Sequence, residues 1–270
     1  MTKKIACIGS GVMAEAILTG ACRVFGPGQF LVTDKSHEKA RVLADSLGCT
    51  AVTSNTAAAQ EADIILLCVK PQAASIVLAE LAPVLRNTSK LLCSILAGVT
   101  IQTIRTALDA PMHPVIRIMP NTPARIGKGL MLLAADAHVP AEAKADVEAL
   151  LAPCGETMWL PEGFFDQATA LSGSSPAYVY MFIGALANAG AEAGLPHSDA
   201  LTLAAHAAYG AAAMVLETGE TPEALKNAVC SPGGSTLAGV AALEASGFED
   251  TVKAAIEAAC ARNRELGEMV

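Results

Sequence analysis

The chain has 270 residues, of which 53% are hydrophobic and only 16% charged, and its formal net charge is −8. That apolar content excludes a disordered chain and allows a large core, while the length suggests about two domains. The acidic balance, with no local cluster of Lys and Arg, excludes a protein built to hold nucleic-acid phosphates.

Lys4–Ile8 is an apolar run that ends in Gly9-Ser10-Gly11-Val12-Met13-Ala14. Gly9, Gly11 and Glu15 interrupt it too early for a leader sequence, so it predicts a strand, a turn and a helix. Phe30–Thr33 predicts the second strand and ends in Asp34. A Gly-x-Gly-x-x-Ala turn between strand and helix, with an acid about 20 residues further on, is a dinucleotide fingerprint. The glycines allow a tight turn and close backbone approach, and the helix start receives the pyrophosphate. Gly9, Ser10, Gly11, Val12 and Met13 are therefore candidate cofactor contacts. Asp34 would bond an adenosine ribose and favour NADH, whereas Lys35 and Ser36 would hold a 2′-phosphate and favour NADPH. Both readings stay open, as they do for Asn55, either an adenosine-side contact or a turn residue after a third strand.

Ile64–Val69, Leu91–Leu96 and Val115–Met119 are further continuous apolar runs, and Gly129–Ala134 and Glu156–Leu160 read as later strands. Such runs, separated by helices, predict a parallel sheet covered on both faces in a doubly wound α/β domain. Ligands of these sheets bind outside the carboxyl ends of the strands. Val69-Lys70-Pro71, Ala97-Gly98 and Met119-Pro120-Asn121-Thr122-Pro123 should thus surround the ribose and nicotinamide. Asn121 and Thr122 would bond the carboxamide or the substrate, or simply form a turn.

Strand signals stop near Phe164. Helical patterns follow at Tyr178–Ala193, Ser198–Thr218, Thr236–Ala245 and Glu249–Glu268. Ser175-Pro176 reads as a helix cap followed by proline at the first helical position. The uncharged stretches Gln167–Ala191 and Ala200–Leu216 read as buried helices rather than membrane spans. The expected division is a dinucleotide-binding domain at 1–162 and an all-helical domain at 163–270. In the second, Ser231-Pro232-Gly233-Gly234-Ser235-Thr236 precedes a helix. Its successive backbone N–H groups form an anion nest, able to take a carboxylate without arginine, and the Thr236 hydroxyl could reach a ring nitrogen.

The eight cysteines show no metal or CxxC spacing and several sit in apolar runs, which fits a reducing cytoplasm. The five histidines show no metal spacing either, and no metal is expected; His206 reads as structural. The helical half offers only Lys226 and Lys253 as lysine acids or bases. That disfavours alcohol oxidation, which needs a base; reduction of a protonated imine does not.

Ala170–Tyr178, Met119–Pro123, Val69–Pro71, Ala97–Thr100, Asn227–Thr236 and Cys260–Leu266 together resemble pyrroline-5-carboxylate reductases. The resemblance spans nearly the whole chain. It implies a Rossmann-like N-terminal domain and an all-α C-terminal dimerisation domain that interlocks with a partner's, with dimers often assembled into decamers. It also implies hydride transfer from NADPH or NADH to 1-pyrroline-5-carboxylate, giving L-proline. By the same resemblance Lys70, Pro71, Ala97 and Asn121 would line the cofactor. Ser231, Gly233, Gly234, Ser235 and Thr236 would hold the substrate, Thr236 as the catalytic residue. The alternatives are a β-hydroxyacid dehydrogenase or another imine reductase on the same plan, or a nicotinamide-binding regulator without turnover.

Overall fold

In the computed structural model, which describes residues 3–268, strands and helices alternate through the first half of the chain. β1 (Ile5–Ile8) leads to α1 (Val12–Phe25), β2 (Phe30–Thr33) to α2 (His37–Leu47), and the short β3 (Thr50–Ala51) to α3 (Asn55–Glu61). Next come β4 (Ile64–Leu67), α4 (Ala74–Leu85), β5 (Leu91–Ser94), α5 (Ile101–Leu108) and β6 (Val115–Met119). β7 (Gly129–Ala134), α6 (Ala141–Leu151) and β8 (Gly155–Trp159) complete a sheet in the order β3-β2-β1-β4-β5-β6-β7-β8.

The continuous apolar runs are explained by burial on both faces: β1, β2, β4, β5 and β6 are buried at every residue. Alternate residues serve opposite layers. Ile5, Cys7 and Leu66 pack with Ile17, Leu18 and Leu150 on one face, while Ile8, Ile65 and Leu67 pack with Leu78, Leu81 and Ile104 on the other. One expectation is corrected here. β7 runs antiparallel to β6, with Ile118 opposite Leu133. Only a short 3-10 turn, Thr122–Ile126, separates β6 from β7, whereas a parallel return needs a crossover of a dozen or more residues.

The chain divides into two compact units: one up to Gly173 with the chain from Ala259 onward, the other Ser174–Ala258. The boundary thus lies beyond the expected one at 162, for reasons that local pattern does not carry. Phe165 of α7 (Phe165–Thr169) is buried with Met119, Leu132 and Ala134. Asn263 Nδ2 also donates to the Asp166 carbonyl at 3.0 Å.

Ala170–Ser174 is a π-helical turn leading into α8 (Ser175–Glu192). Ser175 is therefore not the expected cap, because Ser174 before it is already helical, with φ −90° and ψ −39°. The second unit continues with α9 (His197–Thr218), α10 (Pro222–Val229), α11 (Ser235–Ala245) and the start of α12 (Phe248–Glu268). α8 and α9 form a hairpin packed through Ile183, Ala187, Ala200 and Ala204. α10 has too few residues to show a period in the sequence; Thr221 caps it, accepting from the Ala224 N–H at 3.2 Å. α9 is long and apolar enough to cross a membrane by length and composition. The expectation that it is buried does not hold within one chain: Leu203, Tyr209 and Leu216 are 61%, 65% and 84% exposed, and His206 is exposed as well. Nothing inside the unit covers that face.

His113, between α5 and β6, is buried, and neither ring nitrogen has a hydrogen-bond partner. Burial lowers its pKa to about 4; the Arg105 charge adds to this and a Leu85 backbone contact opposes it. The unfolded chain takes up this proton near pH 6.5. Stability from neutral His113 is therefore complete above about pH 6.5 and is lost as the pH falls, by about 3 kcal/mol at pH 4. His113→Leu is expected to remove that acid-side loss. Urea midpoints of both proteins across this range check it, and parallel curves would refute it.

Candidate active site

The strand order reverses between β1 and β4, and a cavity of about 350 Å3 opens there. That is where open α/β sheets bind their ligands. Gly9, Ser10 and Gly11 line it after β1, Asp34, Lys35 and Lys39 after β2, then Asn55, and Val69 and Lys70 after β4. Gly9 has φ +103°, and its N–H donates to the Thr33 carbonyl at 2.8 Å, pinning the end of β1 to β2. Gly11 precedes α1 without a side-chain cap, and a Cβ built there would have nothing within 4 Å. Open space in front of uncapped helical N–H groups fits a dinucleotide pyrophosphate.

Asp34 does not present a free carboxylate to a ribose. Its Oδ2 accepts from the Ser10 N–H at 2.8 Å and the Ser10 hydroxyl at 3.0 Å, and its Oδ1 accepts from the Ser36 N–H at 2.9 Å. Burial pushes this carboxyl upward, but those bonds and the Lys39 charge outweigh it and hold the group below its ordinary value. Asn55 is likewise engaged: it accepts from Thr33 Oγ1 at 3.1 Å and donates to Glu80 Oε2 at 2.9 Å.

Of the other expected contacts, Val12 is exposed on the first turn of α1, while Met13 packs against the core. Ser36 precedes α2 and its hydroxyl does not cap it. Pro71 opens a 3-10 turn at Pro71–Ala73, and Ala97 packs beside the cluster of Met119 and Phe165. The structure does not bring these residues into the cavity. Lys39, Cys68, Ala73 and Val77 line it and were missed. Only Lys39 left a usable trace, as a cation three residues past the serine that precedes α2.

Asn121 has a role that spacing did not show. Its Nδ2 donates to the Ser172 carbonyl at 3.0 Å, and its Oδ1 accepts from the Leu130 N–H at 3.0 Å. Pro176 lies four residues after Ser172 and has no N–H to offer that carbonyl. Asn121 thus satisfies an acceptor that the proline leaves open, and ties the loop after β6 to the π turn.

In the second unit, Gly233 has φ +73°, and the Gly234 N–H closes a turn onto the Ser231 carbonyl at 2.9 Å. α11 then starts at Ser235 with no side-chain cap. Ser231, Ser235 and Thr236 are exposed. The Ser235 and Thr236 hydroxyls make no hydrogen bond among the described residues. Backbone donors and two free hydroxyls at one turn can receive a small carboxylate.

Residues 162–266 match a family model of pyrroline-5-carboxylate reductase dimerisation, and residues 4–98 one of NADP oxidoreductases, coenzyme F420-dependent. The dimerisation match spans the helices whose apolar faces lie open in one chain, which accords with a homo-oligomer. The chain is 42% identical to the pyrroline-5-carboxylate reductase of Escherichia coli (strain K12), over 99% of this chain and 100% of that protein. A solved pyrroline-5-carboxylate reductase from Coxiella burnetii is 32% identical, with a TM-score of 0.91 and coverage of 98% and 99%. The Plasmodium falciparum pyrroline carboxylate reductase, solved with NADP bound, is 31% identical with a TM-score of 0.89 and coverage of 98% of each chain. With this similarity along its whole length, the chain belongs to the pyrroline-5-carboxylate reductase family.

Proposed function

We propose that the protein reduces 1-pyrroline-5-carboxylate to L-proline with NADPH as the hydride donor. The observation that carries this is the presence, in one chain, of an open dinucleotide cradle and an exposed set of donors and hydroxyls at Ser231–Thr236. The relatives matched along almost the whole chain support the same reading. The bound cofactor supplies the hydride, and the protein supplies position. Gly9, Ser10, Gly11 and the opening turn of α1 hold the pyrophosphate, and Lys70 holds the cofactor beside β4. Ser231, Gly233, Gly234 and Ser235 hold the substrate carboxylate. The Thr236 hydroxyl accepts from the protonated ring nitrogen, which keeps its proton when the imine carbon is reduced. The homo-oligomer has the dimer as its unit, and a decamer is its larger assembly; sedimentation measures which forms. The free cysteines support a reducing, cytoplasmic setting.

The test follows NADPH consumption by absorbance with the cyclic imine present, and identifies proline as product. Folded protein that binds NADPH and consumes none would overturn the reading. Thr236→Ala is expected to lower kcat/KM about 10–100-fold, the loss of one charge-assisted bond in the transition state, with NADPH affinity unchanged. Wild-type turnover in that variant would remove Thr236 from the reaction.

A further inference from the structure

We propose that Asp34 is a loop clamp rather than the ribose ligand, and that Lys39, with Lys35, binds the 2′-phosphate and selects NADPH. This rests on the cofactor reading above and goes beyond it by assigning the selectivity to named groups.

An ionised carboxylate that selects NADH must accept from both hydroxyls of the ribose. Asp34 already accepts three bonds from Ser10 and Ser36 across its two oxygens. Those bonds join the turn after β1 to the turn after β2, so the acid shapes the cradle. It lacks the free lone pairs to grip a diol.

The neighbouring charges point to an anion. Lys35 and Lys39 both line the cavity, and among the described residues neither ammonium has a carboxylate within ion-pair distance. Glu38, the acid between them in sequence, is held by Arg41 at 2.9 Å. Two unpaired cations beside an acid already held by three hydrogen bonds suit a phosphate monoester, which carries about −1.5 to −2 charge at neutral pH. A bare ribose would leave both cations without a partner. Lys39 also faces Asp34, the carboxylate that lines the site, and its charge contributes to keeping Asp34 ionised.

The experiment is calorimetric titration of the full-length protein with 2′,5′-ADP and with 5′-AMP, which differ only in the 2′-phosphate. Wild type is expected to prefer 2′,5′-ADP. Lys39→Glu should weaken 2′,5′-ADP about 10–100-fold and leave 5′-AMP within about twofold, as expected for one charge-assisted phosphate contact. Asp34→Asn should weaken NADH and NADPH in parallel, because it loosens the cradle common to both. An unchanged 2′,5′-ADP affinity in Lys39→Glu would overturn the Lys39 assignment. A loss confined to NADH in Asp34→Asn would put Asp34 back on the ribose. Wild type that binds neither nucleotide would overturn the cofactor reading itself, a result distinct from both.

Discussion

Gly9→Ala is expected to cost the fold about 3 kcal/mol or more and to weaken NADPH binding at least about 100-fold. Two effects add at this position. The backbone sits at φ +103°, where a side chain is strained. A Cβ there would also lie 2.6 Å from the Cys68 carbonyl oxygen and 3.0 Å from the Val69 nitrogen. Both atoms are backbone of the turn after β4, so no rotamer change relieves the clash. Relief requires the turns after β1 and β4 to separate, and both turns line the cavity. Gly11→Ala is the control. Gly11 has φ −77° and open space around it, so that variant should fold normally and lose only cofactor affinity. Urea midpoints and NADPH titrations of both variants check this. A Gly9→Ala protein with native stability and affinity would mean that the two turns are not locked together.

The second large effect is expected at Glu162, where alanine should cost about 3 kcal/mol. Glu162 Oε1 accepts from the Ile101 N–H at 2.8 Å and from Arg117 Nη1 at 3.1 Å. Arg117 is buried on β6, lies over the Phe165 ring at 4.7 Å, and its Nε has no partner. Removing the carboxylate leaves a buried guanidinium with no opposite charge, a larger penalty than the pair's own net contribution. Glu162 is 28% exposed, so entering water limits the loss to the low end of the range for buried pairs. Glu162→Gln keeps an acceptor for both donors and should recover part of the loss. Adding Arg117→Met to Glu162→Ala should recover more, since it removes the stranded charge. Denaturant midpoints of the three variants decide it, and a native midpoint in Glu162→Ala would refute the account.

Glu162 also shows where sequence reading stops. In the sequence it is one residue of a Leu-Pro-Glu-Gly turn; in the fold its carboxylate joins α5 to β6. Asp34 was legible as the acid ending β2, but its direction was not, because that depends on how near Ser10 lies. Asn121 was legible as a polar residue between prolines. Its tie to Ser172 depends on a carbonyl left open by Pro176, which is distant in sequence. The open face of α9 was legible as apolar, but its exposure follows from the absence of any second layer within its unit.

By itself the sequence determined the alternation of strands and helices, the glycine turn after β1 and the Ser231–Thr236 turn before α11. These are local: burial of a strand on both faces, a positive φ and a run of small residues ahead of a helix leave their mark within a few positions. Only the tertiary structure decided the attachment of Phe165–Gly173 to the first unit and the partners of Asp34, Asn121 and Glu162. The reason is that a polar side chain takes the nearest unsatisfied partner when buried, and which partner is nearest is set by packing between elements far apart in the chain.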